Sequence, residues 1–140
     1  MRIPVVLSIR GTQHYPDQEP EIIELVTDGV MVPRSNGWDI SYEESALTGL
    51  EGVLTTFRVT PGKITLKRTG KLRSEMVFQE GVCHESLYQM DFGALLMTVC
   101  AGRVRYDLTE AGGVIDLEYS IDIENTAAGQ IDYHLELKAK

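Results

Sequence analysis

Three groups of residues in this chain carry enough chemistry to be weighed as a site. Asp132, His134 and Glu136 alternate along one stretch, with Asp116, Glu118 and Asp122 in a common phase upstream, so one imidazole and several carboxylates could ligate a metal. Cys83 and His84 are neighbours, and a thiol activated by an imidazole is a nucleophile. Arg68 follows the apolar positions Ile64 and Leu66 at a spacing of two, and a guanidinium in that phase suits a carboxylate or phosphate group.

What each group can do depends on the element that carries it. Side-chain character alternates with period two almost throughout, most cleanly where Ile115, Leu117, Tyr119, Ile121 and Ile123 are set against Asp116, Glu118, Ser120, Asp122 and Glu124. A strand sends successive side chains to opposite faces. The acids and His134 therefore lie opposite the apolar face, outside any core, and an exposed acidic face explains them without a metal. Cys83 and His84 point to opposite faces and do not form a pair. Cys100 sits in the most apolar segment, where burial raises a thiol's pKa and leaves it inert. No glycine-rich phosphate loop, nucleophile elbow or zinc spacing occurs. The expectation is no catalytic residue, no metal and no cofactor.

Strands are expected at 3–10, 21–32, 38–44, 53–60, 64–69, 72–79, 82–90, 94–100, 104–108, 114–124 and 130–138. Asn36-Gly37 predicts a type I′ hairpin, and Thr60-Pro61-Gly62-Lys63 has proline and glycine in type II order. Asp28-Gly29 falls inside an apolar run and predicts a bulge or sharp bend. The aperiodic stretch from Gln13 to Pro20 reads as a loop, and 45–50 could form at most one helical turn. Short connections between consecutive strands predict an antiparallel meander of about eight to ten strands closed into a β-barrel.

With 140 residues the chain reads as one domain, 1–140, able to bury a core without disulfides. Cys83 and Cys100 are read as free thiols, and with no apolar run long enough for a signal or a membrane span the expected compartment is the cytoplasm. Of the net charge of −8, all is accounted for by eight acids between Asp107 and Leu137, where no lysine or arginine occurs. Arg58, Lys63, Lys67, Arg68, Lys71 and Arg73 form a basic segment upstream that could pair with it across strands. An acidic chain repels phosphate backbones, so nucleic acid is not an expected partner. The segment from Phe92 to Ala101 is apolar on both faces, and either a piece of the chain or a second subunit covers its outer side.

Ser41-Tyr42-Glu43-Glu44, Thr55, Val59, Gly62, Arg68-Thr69-Gly70, Tyr88, Phe92-Gly93, Leu95 and Met97 together resemble the YwiB-like family of small uncharacterised bacterial proteins, a likeness extending through Gly113, Ile115, Leu117 and Tyr119. That resemblance implies a calycin, lipocalin-like β-barrel and carries no activity with it. The lipocalin signature of glycine, any residue, tryptophan is not met, since Gly37 and Trp38 are adjacent.

Strand phase turns Trp38, Tyr42, Phe57, Met76, Met97, Tyr119 and Tyr133 inward, with Arg68 at the barrel mouth or else reaching out into solvent. Aromatics with polar tips and adaptable methionines suit a pocket for one small apolar or amphipathic molecule, and they equally suit a filled core. The expected function is non-enzymatic binding of such a molecule by a monomer or homodimer. The alternative is a protein-interaction module with a filled barrel.

Overall fold

Alternate residues are buried in strand after strand, as the sequence pattern requires. In Val53–Thr60 the buried side chains are Val53, Thr55, Phe57 and Val59, and Leu54 and Arg58 are exposed. The structure, a computed structural model, describes residues 1–45, 50–90 and 92–140, so the single turn expected at 45–50 lies mostly outside the described residues. Among the described residues ten strands are formed: β1 (Ile3–His14), β2 (Glu21–Arg34), β3 (Gly37–Glu43), β4 (Val53–Thr60), β5 (Lys63–Gly70), β6 (Ser74–Phe78), β7 (Cys83–Met90), β8 (Gly93–Thr109), β9 (Gly112–Ile123) and β10 (Thr126–Ala139). All pairs are antiparallel, in the order β6-β5-β4-β3-β2-β1-β10-β9-β8-β7, an up-and-down meander in which β1 pairs with β10. Two isolated bridges between the β6 and β7 sides, Arg73 with Gln89 and Gln79 with Val82, bring the sheet round into a nearly closed barrel.

The interior is apolar for most of its depth, with Val5, Leu7, Met31, Ile40, Phe57, Phe78, Ile115, Leu117 and Leu135 almost wholly buried. No described helix is long and apolar enough to cross a membrane.

Several local expectations need correction. The hairpin between β2 and β3 forms, but Arg34 pairs with Gly37, so the two-residue loop is Ser35-Asn36 and neither Asn36 nor Gly37 has a positive φ. Gly37 is needed for a close approach instead, because a Cβ there would lie 1.8 Å from Val59 O. The I′ signature occurs between β9 and β10, where Glu124 and Asn125 have φ of 51° and 64°. Register runs without a break past Asp28-Gly29, so there is no bulge at that point; a Cβ on Gly29 would meet Ser41 O at 2.6 Å. The stretches 94–100 and 104–108 belong to one strand, β8, whose register shifts between Ala101 and Arg103. Gln13 and His14 continue β1 rather than opening a loop.

Cys83 and Cys100 are not free thiols. They are direct partners across β7 and β8 and form a disulfide on the outer face, Cys100 being neither a buried nor an inert thiol. Nor do the basic and acidic segments pair, since β3, β2 and β1 stand between β4 and β10. Glu118 takes its partner from β8 instead, with Arg103 Nη1 3.2 Å from Glu118 Oε2. On the outer face of β8 the side chain opposite Leu96 is Leu87, which stays 52% exposed, so this patch is not fully covered.

Candidate functional site

Strand register builds the site. Reading across the inner wall from β3 to β6, Ile40, Phe57, Leu66 and Met76 stand side by side as one apolar row. The next row is Tyr42, Thr55, Arg68 and Ser74, polar in four consecutive strands and facing the interior. Glu44, two residues beyond Tyr42, keeps the inward phase and is buried, and its neighbour Glu43 is exposed.

These groups engage one another. Thr55 Oγ1 donates to Glu44 Oε2 at 2.7 Å, and Arg68 Nε lies 3.9 Å from the same oxygen. That distance is an ion pair and not a hydrogen bond. Tyr42 makes side-chain hydrogen bonds with Glu44 and with Tyr133. Burial pushes the Tyr42 phenol well above its ordinary value, with the Glu44 charge adding to the rise and Arg68 opposing it. Tyr119 is pushed up to about 12 by burial, and Tyr133 is raised by burial and by the neighbouring Tyr42 and Tyr119 phenols; Arg68 opposes both shifts. The three phenols are therefore neutral donors around a guanidinium whose Nε has no hydrogen-bond partner.

Of the residues singled out from sequence, Tyr42, Arg68, Tyr119 and Tyr133 come together in this cluster. Phe57 joins it through Tyr133, ring centroids 5.8 Å apart, and Tyr119 packs against Phe78 at 4.6 Å. Met76 lies beside Ser74 in the adjacent row, and Met97 is opposite Ser86, another inward hydroxyl without a partner. Trp38 is elsewhere, at the other end of β3. It lines a cleft of about 440 Å³ with Arg34, Asp39 and Arg58. Burial would raise the Asp39 carboxyl, but hydrogen bonds from Arg58 and Arg34, at 3.1 and 2.8 Å, outweigh it and hold the carboxyl below its ordinary value.

The metal constellation does not form: among the described residues no group of three or more histidines, cysteines and acids is placed to hold an ion. His134 is instead held between Asp116 and Glu136 at 2.8 and 3.1 Å on the outer face. His84 turns inward opposite Val99, with Nε2 3.1 Å from Gln79 Oε1 and away from Cys83. Sequence reasoning missed Glu44, Thr55 and Ser74 as members of the cluster. The signal for Glu44 was its phase with Trp38, Ile40 and Tyr42. Ser74 shares the inward phase of Met76 and Phe78, but its place beside Arg68 depends on the β5–β6 register.

The model of a family described as a domain of unknown function (DUF1934) matches residues 7–137. A relative in Bacillus subtilis (strain 168), described as the uncharacterized beta-barrel protein YwiB, is 27% identical over 120 residues, 86% of this chain and 82% of its own. The crystal structure of the ywiB protein from Bacillus subtilis superposes with a TM-score of 0.87 at 24% identity, over 99% of this chain and 93% of that one.

Proposed function

From its place in the DUF1934 family, to which the chain belongs, we propose that this protein uses its barrel interior as calycins do, holding a small, partly apolar molecule with an acidic group and catalysing nothing. The observation that carries this reading is the Arg68 guanidinium inside the barrel, too far from Glu44 for a hydrogen bond and with its Nε unbonded. Buried donors are ordinarily satisfied, and a carboxylate or phosphate matches a guanidinium fork. The neutral phenols of Tyr42, Tyr119 and Tyr133 supply further donors, and Met76, Met97 and Phe57 supply adaptable apolar contact. Nucleic acid is left out of the proposed partners on the ground of the −8 charge, and no cofactor is assigned.

The compartment we propose is the cytoplasm, where the Cys83–Cys100 disulfide on the outer face is open to reversible reduction. Thiol labelling in intact cells followed by mass spectrometry checks this, and a pair that resists labelling points to an oxidising compartment.

Native mass spectra of the protein purified gently from its host, set against denaturing spectra, test the binding. The expected result is an extra mass on the order of a few hundred daltons, lost on unfolding and absent in Arg68→Ala or, where that chain does not fold, in Arg68→Met combined with Glu44→Gln. The bare chain mass alone would overturn the reading.

A second reading, a protein-interaction module with a filled core, is favoured by the apolar side chains left in solvent on one hairpin, Leu87 at 52% and Phe92 at 84% exposure, beside the strand around Leu96. A clean dimer that carries no added mass and dissociates in Leu87→Ser would select it.

A further inference from the structure

The barrel wall is open along one seam. Between β6 and β7, Arg73 and Gln89 exchange backbone hydrogen bonds of 3.0 and 2.8 Å, and Val82 N–H donates to Gln79 O at 3.0 Å. Carried along both strands, the Arg73–Gln89 register would set Gln79 opposite Cys83. The second bridge joins Gln79 to Val82 instead, one residue out of step. A ladder cannot run through such a slip without a bulge, and among the described residues none runs between the two bridges.

The inner polar row ends at this seam. Ser74 is its last member, 6% exposed, and its Oγ has no hydrogen-bond partner. Over the seam lies a cleft of about 430 Å³ lined by Lys67, Arg68, Arg73, Ser74, Glu75 and Gln89 among others. Its charged lining is thus three cations and one carboxylate, in a chain whose net charge is −8. The lining is net positive, and a net charge gathered in a cleft raises the local concentration of counter-ions.

We infer that the seam between β6 and β7 is an oxyanion site. The carboxylate or phosphate of a small amphipathic molecule lies in the cleft, accepts a hydrogen bond from Ser74 Oγ and pairs with the Arg68 and Arg73 guanidinium groups. The site rests on the interior-binding reading above and specifies the wall and the groups that receive the acidic end. A hydroxyl and two guanidinium groups form short, charge-assisted hydrogen bonds to such an oxygen pair, and an alcohol of the same chain length offers them nothing comparable.

Calorimetric titration of the whole chain with octanoate, octyl phosphate, octanol and inorganic phosphate tests the site. The expected result is at least tenfold tighter binding of octanoate and octyl phosphate than of octanol. Ser74→Ala and the exposed substitution Arg73→Gln should each weaken the two anions at least fivefold and leave octanol unchanged, with unaltered thermal unfolding showing that both variants fold. Octanol binding as tightly as octanoate, with neither variant changing it, would overturn the oxyanion site and leave only the apolar part of the interior-binding reading standing. Inorganic phosphate binding as tightly as octyl phosphate, with the same losses in the variants, would support the site and overturn the apolar part of that reading. Binding of none of the four would overturn both.

Discussion

Glu44 and Arg68 face each other at 3.9 Å inside the barrel, so removing either leaves the other charge without its counter-charge. Stranding a buried charged group costs about 1–3 kcal/mol or more, whereas replacing both members by neutral side chains of similar shape is often close to neutral. Glu44→Gln and Arg68→Met are each expected to lower urea stability by about 1–3 kcal/mol, and the double variant to recover most of the loss. Additive losses would show that the two do not interact. On the outer face, hydrogen bonds to Asp116 and Glu136 raise the His134 pKa above its ordinary 6.5, against a smaller opposing effect of burial. The folded state therefore holds the proton more tightly. The resulting stabilisation is fully present below pH 6.5 and is lost as pH rises through the raised folded value. With His134 and Asp116 each about two-fifths exposed, solvent screening keeps it under about 1 kcal/mol; His134→Gln should flatten the stability profile in that window, and a profile that keeps its slope would contradict the assignment. At this scale phase gave the inward position of Arg68 as one of two placements, the other being solvent, and could not choose between them. The disulfide was not legible, because it depends on the β7–β8 register that pairs Met90 with Gly93 and so sets Cys83 opposite Cys100.

Strands announce themselves in this sequence through period-two alternation, and nine of the eleven expected segments fall almost directly on nine of the ten strands; the other two, 94–100 and 104–108, merge into β8. The merger was hidden because Gly102 marks a register shift within β8 and looks in sequence like a turn. Glycines misled for a similar reason: sequence gives the residue type and not the conformation it serves. Gly62 has φ of +75° with nothing within 4 Å of a Cβ, whereas Gly37 has an ordinary φ and a Cβ would collide with Val59 O at 1.8 Å. Gly62→Ala should therefore cost about 1–2 kcal/mol, the penalty of a left-handed backbone, and Gly37→Ala more than about 2 kcal/mol, because the clash is with backbone in a packed wall. Equal losses in urea denaturation, or the reverse order, would contradict this account of the β2–β3 hairpin.

Taken whole, the molecule is a barrel whose wall has two chemically distinct faces and one gap. The acidic strands β9 and β10 lie across the ring from the basic strands β4 and β5, so the charges read as two blocks in sequence remain two blocks in space. Barrel closure followed from the meander of short connections. The seam did not, because it arises from a one-residue mismatch between two bridges that no local pattern encodes. The polar row is likewise a product of register across β3, β4, β5 and β6. The central claim is that the interior beside this row takes a ligand. The most direct test is NMR of protein labelled with ¹³C-methyl methionine and titrated with octanoate. The account predicts shifts at Met76 and Met97, both 5% exposed inside the barrel, none at Met1, which is 77% exposed, and loss of the shifts in the Arg68→Met, Glu44→Gln double variant. Met76 and Met97 resonances that stay fixed at saturating octanoate would contradict it.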